Sequence, residues 1–295
     1  MIKKEELEHY RKAGQIAKKI KEYCKDIIRK DMLLIDIAEK IENKIIELGA
    51  KPAFPVDLSI NEIAAHYSPL PNEKEIAKGL LKIDIGISIN GYIVDTAIAL
   101  DLENNEINKK LIKSSEIALN EAIKVIKKDI EIREIGKIIS EKIKEFGFSP
   151  IINLAGHEIK HYLIHAGITI PNYDNNNKNK LKEGIYAIEP FSTTGEGRIY
   201  ESKGSGIYSL INLKSVRSKE EKEILSYIEK EYKTLPFSSR WIVKKFGNKS
   251  LVILKFLESQ GIIKEYPILI EKSHNIVSQA ENTIYFDGEK VEILT

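Results

Sequence analysis

Residues 82–97 read KIDIGISINGYIVDTA, and this stretch decides the fold around it. Asn90-Gly91 between two runs of β-prone residues is the strongest short signal for a β-hairpin with a two-residue loop. We therefore predict a hairpin over 80–100. Its register would pair Ile89 with Tyr92, Gly86 with Asp95 and Asp84 with Ala97.

In this register Asp84 and Asp95 are diagonal neighbours on one face of the hairpin, roughly 7–8 Å apart. Two carboxylates that converge inside a mostly apolar hairpin repel each other and are costly to bury. A pair of divalent cations would cancel that cost. The alternative is that one or both side chains lie at the edge of the sheet in water, and the hairpin alone leaves both interpretations open.

Outward from the hairpin, the pattern of two helices followed by strands occurs twice. Helical periodicity predicts helices over 3–29 and 33–48, and again over 107–128 and 132–146, with strands near 54–60, 150–156 and 184–191. The repeat predicts an α+β domain in which helices cover an antiparallel sheet.

Residues 201–267 interrupt that repeat. We predict three short helices there, over 218–232, 238–246 and 249–260, and a small hairpin near 262–270. Strand character returns over 275–286. We therefore divide the chain into a catalytic domain of residues 1–200 and 268–295 and an inserted subdomain of residues 201–267.

Three further segments each carry one ligand-type side chain next to or within a strand: His157, Glu189 and Glu281. A single such residue is usually a solvated surface residue or a satisfied core residue. Two Asp, one His and two Glu together are different, because oxygen donors with one imidazole suit Co, Mn, Fe or Zn. Metal pairs about 3.5–4 Å apart occur in aminopeptidases.

At this point the sequence resembles the archaeal-type, type 2 methionine aminopeptidases of peptidase family M24, over nearly the whole chain. The segments that carry the resemblance are 53–55 (AFP), 61–67 (NEIAAHY), the 84–95 hairpin, 156–167, 187–191 (AIEPF), 266–267 (YP) and 279–283 (QAENT). The resemblance implies the pita-bread fold, with its pseudo-twofold repeat of two helices and strands, and a winged-helix-like insertion.

The resemblance also implies a role for each matching residue. Asp84 would chelate one of two divalent metal ions, Asp95 and Glu281 would bridge both, and His157 and Glu189 would complete the second metal's ligands. Glu189 or a neighbouring carboxylate would also relay a proton. His66 and His165 would contact the substrate and stabilise the tetrahedral intermediate, while Phe54, Ile164 and Tyr266 would line the pocket for the methionine side chain.

Two features depart from the family pattern or compete with it. Ala280 and Asn282 stand where family members commonly carry Phe and His, which leaves Glu281 in place but changes its surroundings. Residues 157–161 match the zinc motif H-E-x-x-H, which requires a helix. Gly156 and a strand precede this motif, so we expect His161 at the surface and Glu158 in solvent.

Composition excludes several classes of protein. With 46 Lys and Arg against 44 Asp and Glu, the net charge of +2 argues against a dedicated nucleic-acid binder. Cys24 is the single cysteine, so no internal disulfide is possible. No apolar run reaches the roughly 18 residues of a membrane span, and the charged N-terminus is unlike a signal peptide. We therefore expect a cytoplasmic protein that contacts no membrane.

The sequence thus predicts a monomeric aminopeptidase that removes the N-terminal methionine from nascent proteins. Alternatives are an Xaa-Pro dipeptidase of the same fold and a non-catalytic relative that binds RNA or ribosomes. Residues 218–272 carry 11 Lys and Arg against 8 Glu, which is too mild an excess to predict specific DNA binding. Whether the protein docks on the ribosome is left open.

Overall fold

The computed structural model describes residues 2–295. Its helices are α1 (Lys4–Ile27), α2 (Leu34–Glu47), α3 (Glu106–Val125), α4 (Ile132–Glu145), α5 (Lys219–Glu231), α6 (Ser239–Phe246) and α7 (Ser250–Ser259). All seven predicted helices are confirmed, with bounds within a few residues. Among these residues, none of the helices combines the length and the apolar character needed to cross a membrane.

The strands of the first half surround the predicted hairpin. They are β1 (Lys51–Pro52), β2 (Asp57–Ile60), β3 (Ile63–Ala65), β4 (Leu80–Ile89) and β5 (Tyr92–Asp101). In the β4–β5 hairpin, Asp84 pairs with Ala97 and Gly86 with Asp95, as the Asn-Gly loop predicts. Both loop residues have positive φ, 54° at Asn90 and 85° at Gly91, which is the conformation that this tight turn requires.

The strands of the second half repeat the arrangement around Gly184–Ile188 and Asn282–Phe286. They are β6 (Ser149–Pro150), β7 (Ala155–Ile159), β8 (Thr169–Pro171), β9 (Gly184–Ile188), β10 (Phe191–Thr193) and β11 (Ile199–Leu210), followed by β12 (Phe237–Ser238), β13 (Ile263–Glu271), β14 (Val277–Gln279), β15 (Asn282–Phe286) and β16 (Val291–Ile293). β15 pairs with β9, and β9 pairs with β7, all antiparallel.

Each pair of helices shields its own apolar core. Apolar side chains of α1 and α2 pack against β4 and β5, and those of α3 and α4 pack against β9 and β15. The two halves meet where Glu281 forms an isolated antiparallel bridge with Ala97. This bridge brings the end of the chain beside the carboxylate hairpin, which is the junction where the ligand-type residues converge.

The inserted segment has a core of its own, built by α5, α6, α7 and the strands that flank them. The hairpin predicted near 262–270 is wrong. Those residues form the single strand β13, which pairs with β11 on one side and β3 on the other. β11 and β13 run across the boundaries that we proposed at 200/201 and 267/268, so the domain division stays a prediction.

Candidate metal centre

Three predicted ligands lie together in the interior. One ligand atom each from Asp95, His157 and Glu281 falls within a group whose members are all within 4.8 Å of one another. All three residues are buried, with Glu281 only 2% exposed. His157 Nε2 lies 3.6 Å from Asp95 Oδ2 and 3.6 Å from Glu189 Oε1, so the fourth predicted ligand adjoins the same group.

Backbone contacts fix Glu281 and Asp95 relative to each other. The amide of Ala97 and that of Glu281 each donate to the other residue's carbonyl oxygen, and the Thr96 hydroxyl donates to the Glu281 carbonyl at 2.8 Å. The Thr283 hydroxyl accepts the amide of Asp95 and donates to its carbonyl oxygen, both at 2.7 Å. Two hydrogen bonds to the Thr283 hydroxyl therefore fix the backbone of Asp95.

Asp84, the fifth predicted ligand, is joined to the group through Gln279. Gln279 Nε2 donates to Asp84 Oδ2 at 2.9 Å and lies 3.4 Å from Glu281 Oε2. We predicted no role for this glutamine. The signal was present, because Gln279 stands two residues before Glu281 in extended chain and so faces the same side.

One cavity of about 190 Å³ collects all ten side chains to which we assigned roles. Besides the five predicted ligands, its lining includes Phe54, His66, Ile164, His165 and Tyr266, as well as Asp57, which we did not expect there. The ring centroids of His157 and His165 are 4.4 Å apart, and those of His66 and Tyr266 are 5.6 Å apart. His165 therefore adjoins the acidic group, and His66 adjoins the ring of Tyr266.

The acidic group is held under electrostatic strain. Burial raises the pKa of Asp84 to about 7, and the nearby charge of Asp57 adds to the rise. Burial first, and then repulsion between neighbouring carboxylates, raises the pKa of Asp95, Glu189 and Glu281 well above the usual range. Burial also lowers the pKa of His157 to about 3, which keeps the imidazole neutral and able to act as a ligand.

The donor set fits divalent cations. Asp84 Oδ1, Asp95 Oδ1 and Glu281 Oε1 are buried, and no N–H or O–H group within residues 2–295 donates to them. Buried carboxylate oxygens without donors are costly, and a cation satisfies them. Oxygen donors with one imidazole match the preferences of Co, Mn, Fe and Zn.

The H-E-x-x-H motif is not a helical zinc site. His157 and Glu158 lie on strand β7, and His161 follows it on the surface, where its Nε2 is 2.8 Å from the Asn90 carbonyl oxygen. The ring of His161 lies against Tyr92. Glu158 differs from our expectation: it lies on strand β7, is buried at 8% exposure and is paired with Lys160 at 3.0 Å.

A family model described as metallopeptidase family M24 matches residues 8–223. The chain therefore belongs to metallopeptidase family M24. It is similar to Methionine aminopeptidase of Pyrococcus abyssi (strain GE5 / Orsay), with 43% identity over 288 residues that cover 96% of this chain and 97% of the relative.

Two solved structures share the fold. A methionine aminopeptidase from Thermotoga maritima superposes with a TM-score of 0.71 at 20% identity, covering all of this chain and 98% of that one. A thermophilic Arx1 superposes with a TM-score of 0.82 at 16% identity, covering all of this chain and 91% of that one. The α+β pita-bread fold expected from the resemblance is confirmed.

Proposed function

We propose that the cavity holds two divalent cations and serves the hydrolysis of the first peptide bond in chains that begin with methionine. The chain is a metallopeptidase by family membership, and methionine aminopeptidases match it over nearly its whole length. The observation that carries the proposal is the convergence of Asp95, His157 and Glu281 within 4.8 Å inside that cavity.

The five predicted ligands divide naturally between two cations. Asp84 would chelate one cation, and His157 with Glu189 would serve the other. Asp95 and Glu281 would serve both cations, and the two carboxylates lie in one buried group with His157. Co, Mn, Fe and Zn are the candidate metals, since each accepts this mixed set of oxygen and nitrogen donors.

The bound cations would supply Lewis acidity and lower the pKa of a water molecule toward about 7. The side chains of this protein would do the rest. Glu189 or a neighbouring carboxylate would accept the proton of the attacking water and pass it to the leaving amine. His66 and His165 would donate to the carbonyl oxygen of the scissile bond as negative charge develops on it.

Selectivity would follow from the two ends of the cavity. Phe54, Ile164 and Tyr266 form an apolar wall, which suits the side chain of methionine. The free amino group of the substrate would bind, as the neutral amine, at the metal centre at the opposite end. Because an internal peptide nitrogen is a poor metal ligand, cleavage would be limited to the first residue.

An Xaa-Pro dipeptidase and a non-catalytic relative that binds RNA or ribosomes are not favoured. The curated relatives match as methionine aminopeptidases at 43% and 42% identity, and all five ligand-type residues line the cavity. A monomeric state stays a prediction, and docking on the ribosome stays open.

The test is release of free methionine from Met-Ala-Ser by the metal-stripped protein and after addition of Co, Mn, Fe or Zn. Asp95→Asn should abolish release, while Asp26→Asn, an exposed position on α1, should leave it unchanged. Gly-Pro should not be cleaved. Absence of methionine release with every metal, from protein shown to be folded, would refute the proposed function.

A further inference from the structure

A fifth carboxylate lines the cavity and is not among the five proposed ligands, four of which are carboxylates. Asp57, the first residue of β2, is only 5% exposed. It pairs in register with Asp84 across strands β2 and β4, so its charge adds to an already repulsive group. A buried carboxylate in that position is costly, and its cost calls for a function.

Both carboxylate oxygens of Asp57 accept hydrogen bonds from the segment that carries His66. Oδ2 accepts the backbone N–H of His66. Oδ1 accepts the backbone N–H of Tyr67 at 2.9 Å and the hydroxyl of Ser59 at 2.6 Å. Hydrogen bonds to a charged acceptor are stronger than neutral ones, so the backbone at 66–67 is held more firmly than a neutral side chain would hold it.

His66 needs such a restraint, because its backbone is in the left-handed region with φ of 62°. Side chains other than glycine are disfavoured there, and such conformations persist only when their surroundings enforce them. An extended backbone at this position would send the imidazole in another direction. The second restraint is weaker, since Nδ1 lies 3.3 Å from the Pro267 carbonyl oxygen.

A buried cation offsets part of the cost. Lys82, 1% exposed, shares the face of the sheet with Asp57 and donates to the carbonyl oxygens of Asn61 and Val277 at 3.0 and 2.9 Å. Burial raises the pKa of Asp57 to about 6, while its hydrogen bonds from Ser59, Tyr67 and His66 and the charge of Lys82 oppose that rise. The carboxylate under His66 therefore stays mostly ionised near neutral pH.

We propose that Asp57 is a positioning residue, which holds His66 in its left-handed conformation and so aims the imidazole at the substrate's carbonyl oxygen. This inference rests on the proposed aminopeptidase activity and on the role proposed there for His66. It adds a residue outside the ligand set whose effect should fall on the chemical step rather than on metal binding.

The first experiment measures kcat and KM on Met-Ala-Ser, with metal affinity by calorimetry and unfolding temperature for each variant. Asp57→Ala should lower kcat by about 10- to 100-fold, the scale of a misplaced catalytic group, with metal affinity within about 3-fold of wild type. Asp57→Asn should recover only part of that loss, because its amide oxygen still accepts the His66 N–H, whereas its amino group donates to Ser59 and leaves the Tyr67 N–H without its acceptor.

Ser59→Ala is the matched control. It removes one hydrogen bond to the same carboxylate and leaves both backbone amides bound, so kcat should stay within about 3-fold of wild type. Should Asp57→Ala fail to fold, Asp57→Ser replaces it, since the shorter side chain cannot span both amides. Unchanged kcat in the folded variant, or a loss matched by an equal loss of metal affinity, would overturn the inference.

A double-mutant cycle separates positioning from a general structural effect. In the His66→Ala background, Asp57→Ala should change kcat by less than about 3-fold, because the group through which it acts is gone. Equal effects in both backgrounds would show that Asp57 does not act through His66.

A crystal structure of Asp57→Ala provides a readout that does not depend on activity. We expect φ of residue 66 to leave the left-handed region and the imidazole to turn away from the cavity. An unchanged His66 would contradict the inference. If wild type releases no methionine with any metal, the proposed function fails, while this structural comparison still decides whether Asp57 positions His66.

Discussion

Gln279 donates its side-chain amide to the carboxylate of Asp84, with Nε2 2.9 Å from Oδ2. The same nitrogen lies 3.4 Å from Glu281 Oε2, so one neutral donor contacts two proposed ligands from different strands. Such contacts behind a metal ligand orient it and commonly change metal affinity by about 10- to 100-fold. Gln279 therefore links the hairpin that carries Asp84 to the last strands of the chain.

We expect Gln279→Ala to weaken binding of Mn²⁺ by about 10- to 100-fold, because Asp84 and Glu281 lose their common donor. Calorimetric titration of the metal-free protein measures this directly. Gln260→Ala is the control, since Gln260 is exposed at the end of α7 and its replacement should leave affinity unchanged. Equal affinity in Gln279→Ala and wild type would show that the contact is incidental.

The pKa shifts in the acidic group predict that metal-free protein loses stability as the pH rises. Burial raises the pKa of Asp84 to about 7 and the pKa of Asp95 and Glu281 well above normal. Unfolded carboxyls titrate near about 4. A group whose pKa is higher in the folded state stabilises it fully below the unfolded value, and this contribution disappears as the pH rises through the folded value.

The unfolding temperature of metal-free protein should therefore fall between pH 5.5 and 7.5, while added Mn²⁺ removes most of that fall, because bound cations favour the ionised carboxylates. Calorimetric scans with chelator and with Mn²⁺ make the comparison. Metal-free Asp95→Asn, which removes one of the repelling charges, should show a shallower dependence on pH. The same slope with and without metal would argue against cation binding at these carboxylates.

Gly86 faces Asp95 across the hairpin and lies against the ring of Phe54, which belongs to the apolar wall of the cavity. A Cβ at this position would stand 2.2 Å from Phe54 Cε1 and 3.0 Å from the Ala53 Cβ. Contacts that close cannot exist, so the Phe54 ring would have to move.

We expect Gly86→Ala to raise KM for Met-Ala-Ser by about 10-fold or more, the range in which small changes of fit act on an apolar pocket. Affinity for Mn²⁺ should change little, because the proposed ligands keep their positions. The double variant Gly86→Ala/Phe54→Leu supplies the missing space and should recover part of the loss, with Phe54→Leu alone as reference. An unaltered KM in Gly86→Ala would show that Phe54 does not contact the methionine side chain of the substrate.

Local rules predict the carboxylate hairpin completely. The Asn90-Gly91 loop sets the register, and the alternation of side chains then places Asp84 and Asp95 on one face. The helices were likewise readable from their periodicity. The convergence of His157, Glu189 and Glu281 on that hairpin came from family resemblance, since no local pattern states which distant strands will pair.

What the sequence did not predict depends on long-range contacts. In the sequence, Asp57 looks like a solvated strand residue. Only the folded structure shows the His66 amide above it. Glu158 was expected in solvent and is buried. β13 was expected to form a hairpin, but its neighbours are β11 and β3, and partner choice between separated strands leaves no mark within either strand.

A buried ion pair ties the inserted segment to the first half of the chain. Glu42 on α2 receives both guanidinium nitrogens of Arg240 on α6, at 2.8 and 2.9 Å, and the indole N–H of Trp241 at 2.9 Å. Glu42 and Arg240 are 5% and 4% exposed. Trp241 is the single tryptophan of the chain, so its fluorescence reports on this junction directly.

Removing one partner leaves the other charge buried and unpaired, which typically costs about 3–5 kcal/mol. We therefore expect Glu42→Ala to lower the free energy of unfolding by roughly this amount, with an altered Trp241 emission in the native state. Urea unfolding followed by Trp241 fluorescence and by circular dichroism measures both effects. The comparison pair is Arg11 and Glu292, whose exposed contact at 2.8 Å should be worth less than about 1 kcal/mol in Glu292→Ala.

The double variant Glu42→Leu/Arg240→Met separates the net contribution of the ion pair to the free energy of unfolding from the loss caused by leaving one charge unpaired. Apolar side chains of similar size often replace a buried ion pair at little cost, so stability should return to within about 2 kcal/mol of wild type. Tyr266, on the strand that follows the inserted helices, lines the proposed substrate cavity. If the ion pair also sets the position of that strand, the stable double variant should still show a raised KM for Met-Ala-Ser, whereas an unchanged KM would confine Glu42 and Arg240 to folding.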